Sequence, residues 1–251
     1  MKLEHAKQDP GKPLVEKHVN MSNALVRAAH SLSLGEKRII SSCIAKLDST
    51  KSDGGFSKGV VRLSALEYAE TFDIDPRTAY EQLKDAGDSL FHRYIRIVVD
   101  TPKGLKETKY RWVGDVTYHH GEGWIELGFT QKVAPHLVNL LKGEYTSYKL
   151  KQASALRSIY SWRLFELLTQ YRGTGWLKIP IEEFAHALDV PESCRKDFFN
   201  LRKRVLEPAI NELATKNNLI VQCEPQRSGR KVVGLEFKFK ADPQGRLPLE
   251  E

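Results

Sequence analysis

A dense group of basic side chains lies near residue 200 of this 251-residue sequence. The first half of the segment SCRKDFFNLRKRVLEPAINELATK contains a single acid, Asp197, and these basic residues: Arg195, Lys196, Arg202, Lys203 and Arg204. Arginine can donate two hydrogen bonds to guanine in a DNA major groove, and asparagine can pair with adenine. Such residues at the start of a helix indicate contact with DNA bases. The alternative is an ordinary solvated helix face.

The helical period divides this segment into two faces. A core would cover the apolar face, which contains Phe198, Leu201, Val205, Leu206, Ala209, Ile210 and Leu213. The period places the following side chains on the open face: Arg195, Lys196, Asn200, Lys203 and Arg204. Pro208 lacks an N–H donor, so we expect the helix to bend beyond its basic half.

Two strand-like runs follow the basic helix and enclose a compact turn, EPQRSGRK. The turn contains Gly229 and three basic residues, Arg227, Arg230 and Lys231. A β-hairpin after a helix-turn-helix makes a winged helix, in which the hairpin tip approaches the DNA backbone or minor groove. We therefore expect the turn to contact phosphates or the minor groove.

The elements that would position these residues occur twice. Both halves of the chain have the order helix, strand, helix, turn, helix and β-ribbon, and RLSALEYAETFDID (62–75) aligns without a gap over KIPIEEFAHALDVP (178–191). We predict an α+β chain of two tandem winged-helix domains, related by an internal repeat. The predicted ranges are a flexible arm at 1–20, the domains at 21–148 and 149–241, and a flexible tail at 242–251.

Local signals define the first copy. Ser64 and Glu67 have capping-box spacing, and Pro76 suits the first turn of the next helix. Residues 48–59 have the composition of a loop. Three strand-like runs, YIRIVVD, KYRWVGDVTY and WIELGF, would form a broad ribbon, with TPKGLKET connecting the first two.

The second helix of the first copy is less basic than its counterpart. It offers Arg77, Thr78, Tyr80, Gln82 and Lys84, interspersed with the acids Glu81, Asp85 and Asp88. This mixture favours phosphate contacts, with fewer contacts to bases. The aromatic strand in the ribbon could be an edge strand that pairs with a second copy, or it could be a buried central strand.

Composition bounds the remaining functions. The formal net charge of +7 favours a polyanionic partner, and the three dispersed cysteines indicate neither a zinc site nor a disulfide framework. No apolar stretch is long enough for a membrane span, and the N-terminus lacks the apolar core of a signal peptide. His119 and His120 are adjacent, whereas the metal site of a nicking enzyme needs two histidines flanking one apolar residue. We find no phosphate-binding loop or nucleophile motif, and we predict no enzyme activity, metal or cofactor.

The sequence resembles the iteron-binding initiator (Rep) proteins of theta-replicating plasmids, of the F-plasmid and pi type, over roughly residues 20–240. In the first half the resemblance rests on NALVRAAHSLSLGEKRII, LSALEYAETFDIDPRTAYEQLKDAGDSL, WIELGFTQKVAPHLVNL and YTSYKL. In the second half it rests on SIYSWRLFELLTQYR, DFFNLRKRVLEPAINEL and GLEFKF.

The resemblance implies a bacterial, cytoplasmic protein that binds origin iterons as a monomer and represses its own gene as a dimer on an inverted repeat. It also implies partners: the host replication initiator, the replicative helicase and chaperones. Arg202, Lys203 and Arg204 match the family's basic cluster, although Lys203 stands where some relatives have arginine. The interface strand would contain Arg111, Trp112, Val113, Val116 and Tyr118. A winged-helix transcriptional repressor without initiator activity is the alternative.

Overall fold

The computed structural model describes residues 11–47, 60–138, 140 and 144–241. The chain divides into two compact units, Met1–Ser154 and Ala155–Glu251. The boundary lies a few residues beyond the predicted one at 148/149. The predicted loop at 48–59 and tail at 242–251 lie outside the described residues. None of the described helices combines the length and apolarity needed to cross a bilayer.

Residues 11–20 contain regular secondary structure, which corrects the prediction of a flexible arm for that part of the range 1–20. Strand β1 (His18–Ser22) pairs antiparallel with β7 (Tyr145–Lys149). Val19 and Met21 alternate with polar residues along β1, and both are fully buried. This alternation is that of a strand with one face against a core.

The first unit contains the predicted helix-turn-helix. Its elements are α1 (Asn23–Arg27), α2 (Leu34–Lys46), β2 (Val60–Ser64), α3 (Ala65–Phe72), α4 (Pro76–Leu90) and the short α5 (Lys151–Ser154). The capping box at the start of α3 is present as predicted, because Ser64 and Glu67 each accept the other's backbone N–H. Pro76 is the first residue of α4, also as predicted.

The ribbon of the first unit contains four strands where the sequence predicted three. They are β3 (Tyr94–Thr101), β4 (Gly104–Arg111), β5 (Val113–His119) and β6 (Trp124–Phe129). The run KYRWVGDVTY is broken at the buried Trp112, so its halves belong to two sheets: a β3–β4 hairpin and a sheet of order β2-β6-β5. Most of TPKGLKET belongs to that hairpin, which corrects its prediction as a connection.

The second unit repeats the arrangement. It contains α6 (Ile159–Thr169), β8 (Trp176–Pro180), α7 (Ile181–Ala187), α8 (Glu192–Arg195), α9 (Phe198–Leu201), a π-helical turn (Arg202–Leu206), α10 (Glu207–Lys216), β9 (Leu219–Ser228) and β10 (Lys231–Ala241). The sheet order is β8-β10-β9. In both units the strand before the helix-turn-helix therefore pairs with the last strand of its three-stranded sheet, β6 or β10, and the strand that precedes this last one in sequence lies at an edge.

The aligned aspartates show how closely the two copies agree. Asp73 and Asp189 both have φ of +52°, in the left-handed region that aspartate tolerates better than most residues. In each unit the residue that follows donates its backbone N–H to an aligned carbonyl, Ala69 O at 3.1 Å or Ala185 O at 2.9 Å. In both copies the helix is therefore followed by an aspartate in the left-handed region, and the next residue closes the turn with the same hydrogen bond. This agreement supports the internal repeat.

Candidate nucleic-acid interface

The basic helix of the second unit is a composite of α9, the π-helical turn and α10; we call it the 198–216 helix. Asp197 caps its start, since one carboxylate oxygen accepts the backbone N–H of Phe199 at 2.9 Å and the other accepts the Asn200 side-chain amide at 2.7 Å. The helix therefore begins at Phe198. Arg195 and Lys196 precede it, at the end of α8, so they do not share its face.

Arg195 is part of the scaffold, which corrects its predicted place on the open face. Its Nε donates to the carbonyl of Val190 at 2.6 Å, and its guanidinium lies 3.8 Å from Asp189. Only 24% of the side chain is exposed. Arg195 thus holds the turn that separates α7 from α8. Lys196 is exposed, and its ammonium lies 3.4 Å from Glu192.

The three consecutive basic residues Arg202, Lys203 and Arg204 are all exposed and lie in the π-helical turn. Here Glu207 donates its backbone N–H to Arg202 O, five residues earlier. In a regular α-helix Pro208 would leave the Arg204 carbonyl without a donor, and its ring would crowd that carbonyl. The wider turn accommodates the proline, and the helix continues to Lys216.

Glu207 organises two of the three cations. Its carboxylate accepts from Arg202 Nε at 2.7 Å and lies 3.1 Å from Lys203 Nζ. These two hydrogen bonds, with Lys203 the larger contributor, lower the pKa of Glu207 below its usual value. Within the described residues Arg204 has no ion pair, so its guanidinium is the one of the three that is left available to an external anion or base.

The wing of the second unit has a basic tip. A two-residue turn, Gly229 and Arg230, joins β9 to β10, and Gly229 adopts the positive φ of +59° that such a turn needs. Arg227 Nη1 donates to the carbonyl of Arg230 at 3.3 Å. The side chains of Arg227, Arg230 and Lys231 are exposed, as the sequence indicated.

Sequence reasoning missed two polar side chains that fix the elements around the helix-turn-helix, the buried Arg163 and the half-buried Glu212. Arg163, on α6, donates to the carbonyl of Ala187 at the end of α7. Burial lowers its pKa to about 10, so it stays protonated at neutral pH. Glu212 accepts the backbone N–H of Arg157 at 2.7 Å, just before α6. In sequence these residues look like ordinary polar positions, because only the fold brings their partners close.

The second helix of the first unit presents the predicted mixture of charges. Asp75 caps α4 by accepting the N–H of Arg77 at 2.7 Å, and Thr78 donates its hydroxyl to the carbonyl of Asp75 at 3.1 Å. Arg77, Thr78 and Lys84 are exposed. Glu81, Asp85 and Asp88 are exposed on the same helix, so its surface is close to neutral.

The proposed interface strand is divided between the core and an edge. Trp112 and Val113 are fully buried, which removes their side chains from the surface where the sequence placed them. The run KYRWVGDVTY alternates along its length, so its pattern does not show that Trp112 and Val113 are buried while the later residues lie on an edge strand. Arg111 is exposed; it donates from Nη1 to Phe91 O at 3.1 Å, and its guanidinium lies 5.2 Å from the centre of the Phe91 ring.

Strand β5 is an edge strand, since among the described residues it pairs with β6 alone. Val116 and Tyr118 on this strand are half-buried. The Tyr118 hydroxyl donates to Asp88 Oδ1 on α4 at 2.6 Å. Partial burial and this bond to Asp88 raise the pKa of Tyr118. Among the described residues no strand pairs with the other side of β5.

Among the described residues, the side chains that could act as metal ligands or nucleophiles are not clustered. Within the described ranges no three His, Cys, Asp or Glu side chains gather as metal ligands would. Burial raises the pKa of the Cys43 and Cys223 thiols to about 12, so both are neutral and poorly nucleophilic at physiological pH. His119 stacks on Trp124, and His120 contacts the Tyr80 hydroxyl at 3.0 Å.

Two family models match the chain. The model described as "Initiator Replication protein, WH1" covers residues 18–169, and that described as "Initiator Rep protein, WH2" covers residues 180–239. The chain belongs to this family of replication initiators. The matches confirm the predicted family and its two tandem winged-helix domains. The family is one of DNA-binding initiators and not a known class of enzyme.

Comparisons with individual proteins agree with this family assignment. The initiator is 25% identical over 234 residues to a replication initiation protein of Escherichia coli, a match covering 91% of this chain and 71% of that protein. It is 25% identical over 254 residues to the PI protein of Escherichia coli, covering 88% and 81%. Among solved structures, the Pi initiator protein in complex with iteron DNA matches with a TM-score of 0.75 at 23% identity, covering 91% of this chain and 98% of that one. At that identity the structural match shows a shared fold.

Proposed function

We propose that the initiator starts plasmid replication by binding origin iterons in double-stranded DNA as a monomer, and that it represses its own gene as a dimer. The observation that carries the proposal is the exposed run of Arg202, Lys203 and Arg204 on a helix that follows a helix-turn-helix. The family supports it, and so does the shared fold with a protein that was solved in complex with iteron DNA.

The second unit recognises the sequence in this proposal. The 198–216 helix enters the major groove, where Arg202, Lys203 and Arg204 contact bases. Asn200 lies in its first turn, and Lys196 lies just before the helix. The tip of the wing, with Arg227, Arg230 and Lys231, contacts phosphates or the minor groove. Arg195 acts indirectly, by holding the turn before α8.

The first unit positions the complex. Arg77, Thr78 and Lys84 on α4 contact the phosphate backbone, because a helix that also carries Glu81, Asp85 and Asp88 suits orientation on DNA better than tight base contact. A dimer forms through β5, whose free edge pairs with the same strand of a second copy. Arg111, Val116 and Tyr118 then border the interface.

The proposed activity needs no cofactor and no catalytic chemistry in this chain. The host replication initiator and the replicative helicase open and unwind the origin after the protein has bound. Chaperones shift the dimer towards the monomer. The protein works in the bacterial cytoplasm, where the plasmid lies.

A minimal plasmid tests initiation. It carries the candidate iterons and a selectable marker but no other origin, and the protein is supplied from a second replicon. We expect replication with the natural chain and none with Arg204→Ala. If the natural chain occupies the iterons in a footprint and the plasmid still fails to replicate, the protein is a repressor without initiator activity.

A substitution on the β5 edge tests whether the monomer initiates replication and the dimer represses the gene. Thr117 is exposed on β5, so Thr117→Lys leaves the fold intact and places a charge on an edge that would meet the same charge in a second copy. We expect sedimentation to show a monomer, with repression lost and replication kept. The matched control is Thr108→Lys on the exposed β4 strand, which should leave the dimer unchanged. A dimer that persists in Thr117→Lys contradicts the β5 interface.

A further inference from the structure

One aromatic side chain on the 198–216 helix is mostly exposed to solvent. Phe199 is 65% exposed, whereas Phe198 beside it is half-buried and Leu201 is fully buried. An exposed phenyl ring leaves a large apolar surface in contact with water and contributes little to the core. An apolar partner outside this unit would explain the ring.

The backbone holds Phe199 at a defined place. It is the second residue of the helix, and its N–H donates to the Asp197 carboxylate at 2.9 Å. The N-terminal residues of a recognition helix are the ones that reach base edges in the major groove. The position of Phe199 is therefore one from which a side chain contacts bases.

Basic residues flank Phe199 in the sequence. Lys196 lies three residues before Phe199, and Arg202 and Lys203 lie three and four residues after it, so the latter two share its side of the helix. All three are exposed. A partner for this surface must combine negative charge with a small apolar group. Duplex DNA meets both requirements, since the thymine methyl is an apolar group on the major-groove edge between two rows of phosphates.

We propose that Phe199 is a thymine-contact site: its ring packs on the 5-methyl group of one or two thymines in the bound sequence. This deepens the proposed function and rests on the second unit binding DNA through its major groove. The contribution is specific, because cytosine, adenine and guanine offer no methyl group at that edge.

The first unit has a different residue at the equivalent position. Counted from its aspartate cap, the second residue of α4 is Arg77, whose N–H donates to Asp75 just as that of Phe199 donates to Asp197. The same backbone geometry thus presents a cation in one unit and an apolar ring in the other. Thymine selection through this position belongs to the second unit alone.

Uracil substitution tests the contact, because uracil differs from thymine only by the missing methyl. The duplex used is the site footprinted by the natural protein, synthesised with each thymine replaced in turn by deoxyuridine. We expect at least one replacement to weaken binding of the natural chain about fourfold, the worth of one buried methyl-sized group. The same replacement should have no effect on Phe199→Ala. Phe199→Leu, which keeps an apolar surface, should retain part of the sensitivity.

The matched control is Leu66→Ala, which removes an equally exposed apolar side chain, 60% exposed on α3. It should keep the full sensitivity to uracil. Thermal melts of all three variants should match that of the natural chain, since both side chains are exposed. The proposal is overturned if no thymine is sensitive, or if every sensitive thymine stays so in Phe199→Ala. A natural chain that selects no duplex sequence at all would instead refute the proposed function.

Discussion

The two helices that follow the helix-turn-helix motifs begin alike and then diverge. Each opens on an aspartate, Asp75 or Asp197, that caps the helix through the second backbone N–H. Beyond the first turn, α4 carries several acids among its cations, whereas the 198–216 helix carries three consecutive cations and a single organising acid, Glu207. The two units therefore share the same helix-turn-helix scaffold and differ in the residues that are exposed on the helix after it. Each unit's share in DNA binding should therefore depend on a few side chains, which substitutions can test.

The largest expected effect is at Arg204, whose guanidinium has no ion pair among the described residues. Arg204→Ala should weaken binding to the specific site by about 1–3 kcal/mol, or roughly 5- to 150-fold, and relax discrimination against scrambled DNA. Lys84→Ala on α4 is the matched control and should cause a smaller loss that is equal for both DNAs. Unchanged discrimination in Arg204→Ala would remove this residue from the base-contacting set.

Arg195 should affect stability more than recognition. Arg195→Ala removes charged hydrogen bonds to two backbone carbonyls, Val190 O and Ala185 O, and should lower the free energy of unfolding by about 1.5–3 kcal/mol. Urea unfolding measures this loss. Binding to specific and scrambled duplexes should fall by the same factor. A loss confined to the specific duplex, at unchanged stability, would return Arg195 to the role that the sequence first indicated.

The wing should contribute affinity without selectivity. Arg230→Ala removes one exposed cation from the tip and should weaken binding to all sequences alike. The slope of log affinity against log salt should decrease in magnitude by about 1, as expected for one lost phosphate contact. Titrations at several salt concentrations measure the slope. A sequence-selective loss would contradict the phosphate assignment and give the wing a part in base recognition.

The smallest expected effect is at Glu207. Glu207→Gln removes the charge that holds Arg202 and Lys203, and exposed ion pairs of this kind contribute little because solvent screens them. Affinity for scrambled DNA should rise about two- to threefold, because two cations are released for phosphates. Affinity for the specific site should rise less, since the orientation of Arg202 is lost. Equal gains on both DNAs would show that Glu207 orients nothing.

Patterns that depend on neighbouring residues were predictable from the sequence. The capping box of Ser64 and Glu67 and the matched ends at Asp73 and Asp189 are set by local hydrogen bonds, so the repeat could be found without coordinates. The face of the basic helix was harder. A single helical period counted from Arg195 does not include the new helix start at Asp197. That count therefore placed Arg195, which binds the scaffold, on the DNA-binding face.

Features that depend on the fold were not predictable. Trp112 lies within a run that alternates like one strand, yet its burial divides the run between two sheets. Residues 11–20 are polar enough to suggest an arm, but β1 finds a partner strand more than a hundred residues later. The helical period placed Phe198 on the core side and gave Phe199 no role, and only its solvent exposure shows that the Phe199 ring is available to a partner.

The π-helical turn at Arg202–Leu206 has a consequence for the side chains that the helix presents. The turn contains one residue more than an α-helical turn, and each residue of an α-helix advances about 100° around the axis. If the helix had stayed α-helical, one extra residue would turn every later side chain by about that angle, and the apolar face of α10 would leave the core. The wider turn takes up the extra residue instead, so Ala209 and Leu213 remain buried beyond it. The insertion therefore works as a spacer: it adds a residue among the exposed cations while the core of the domain stays the same.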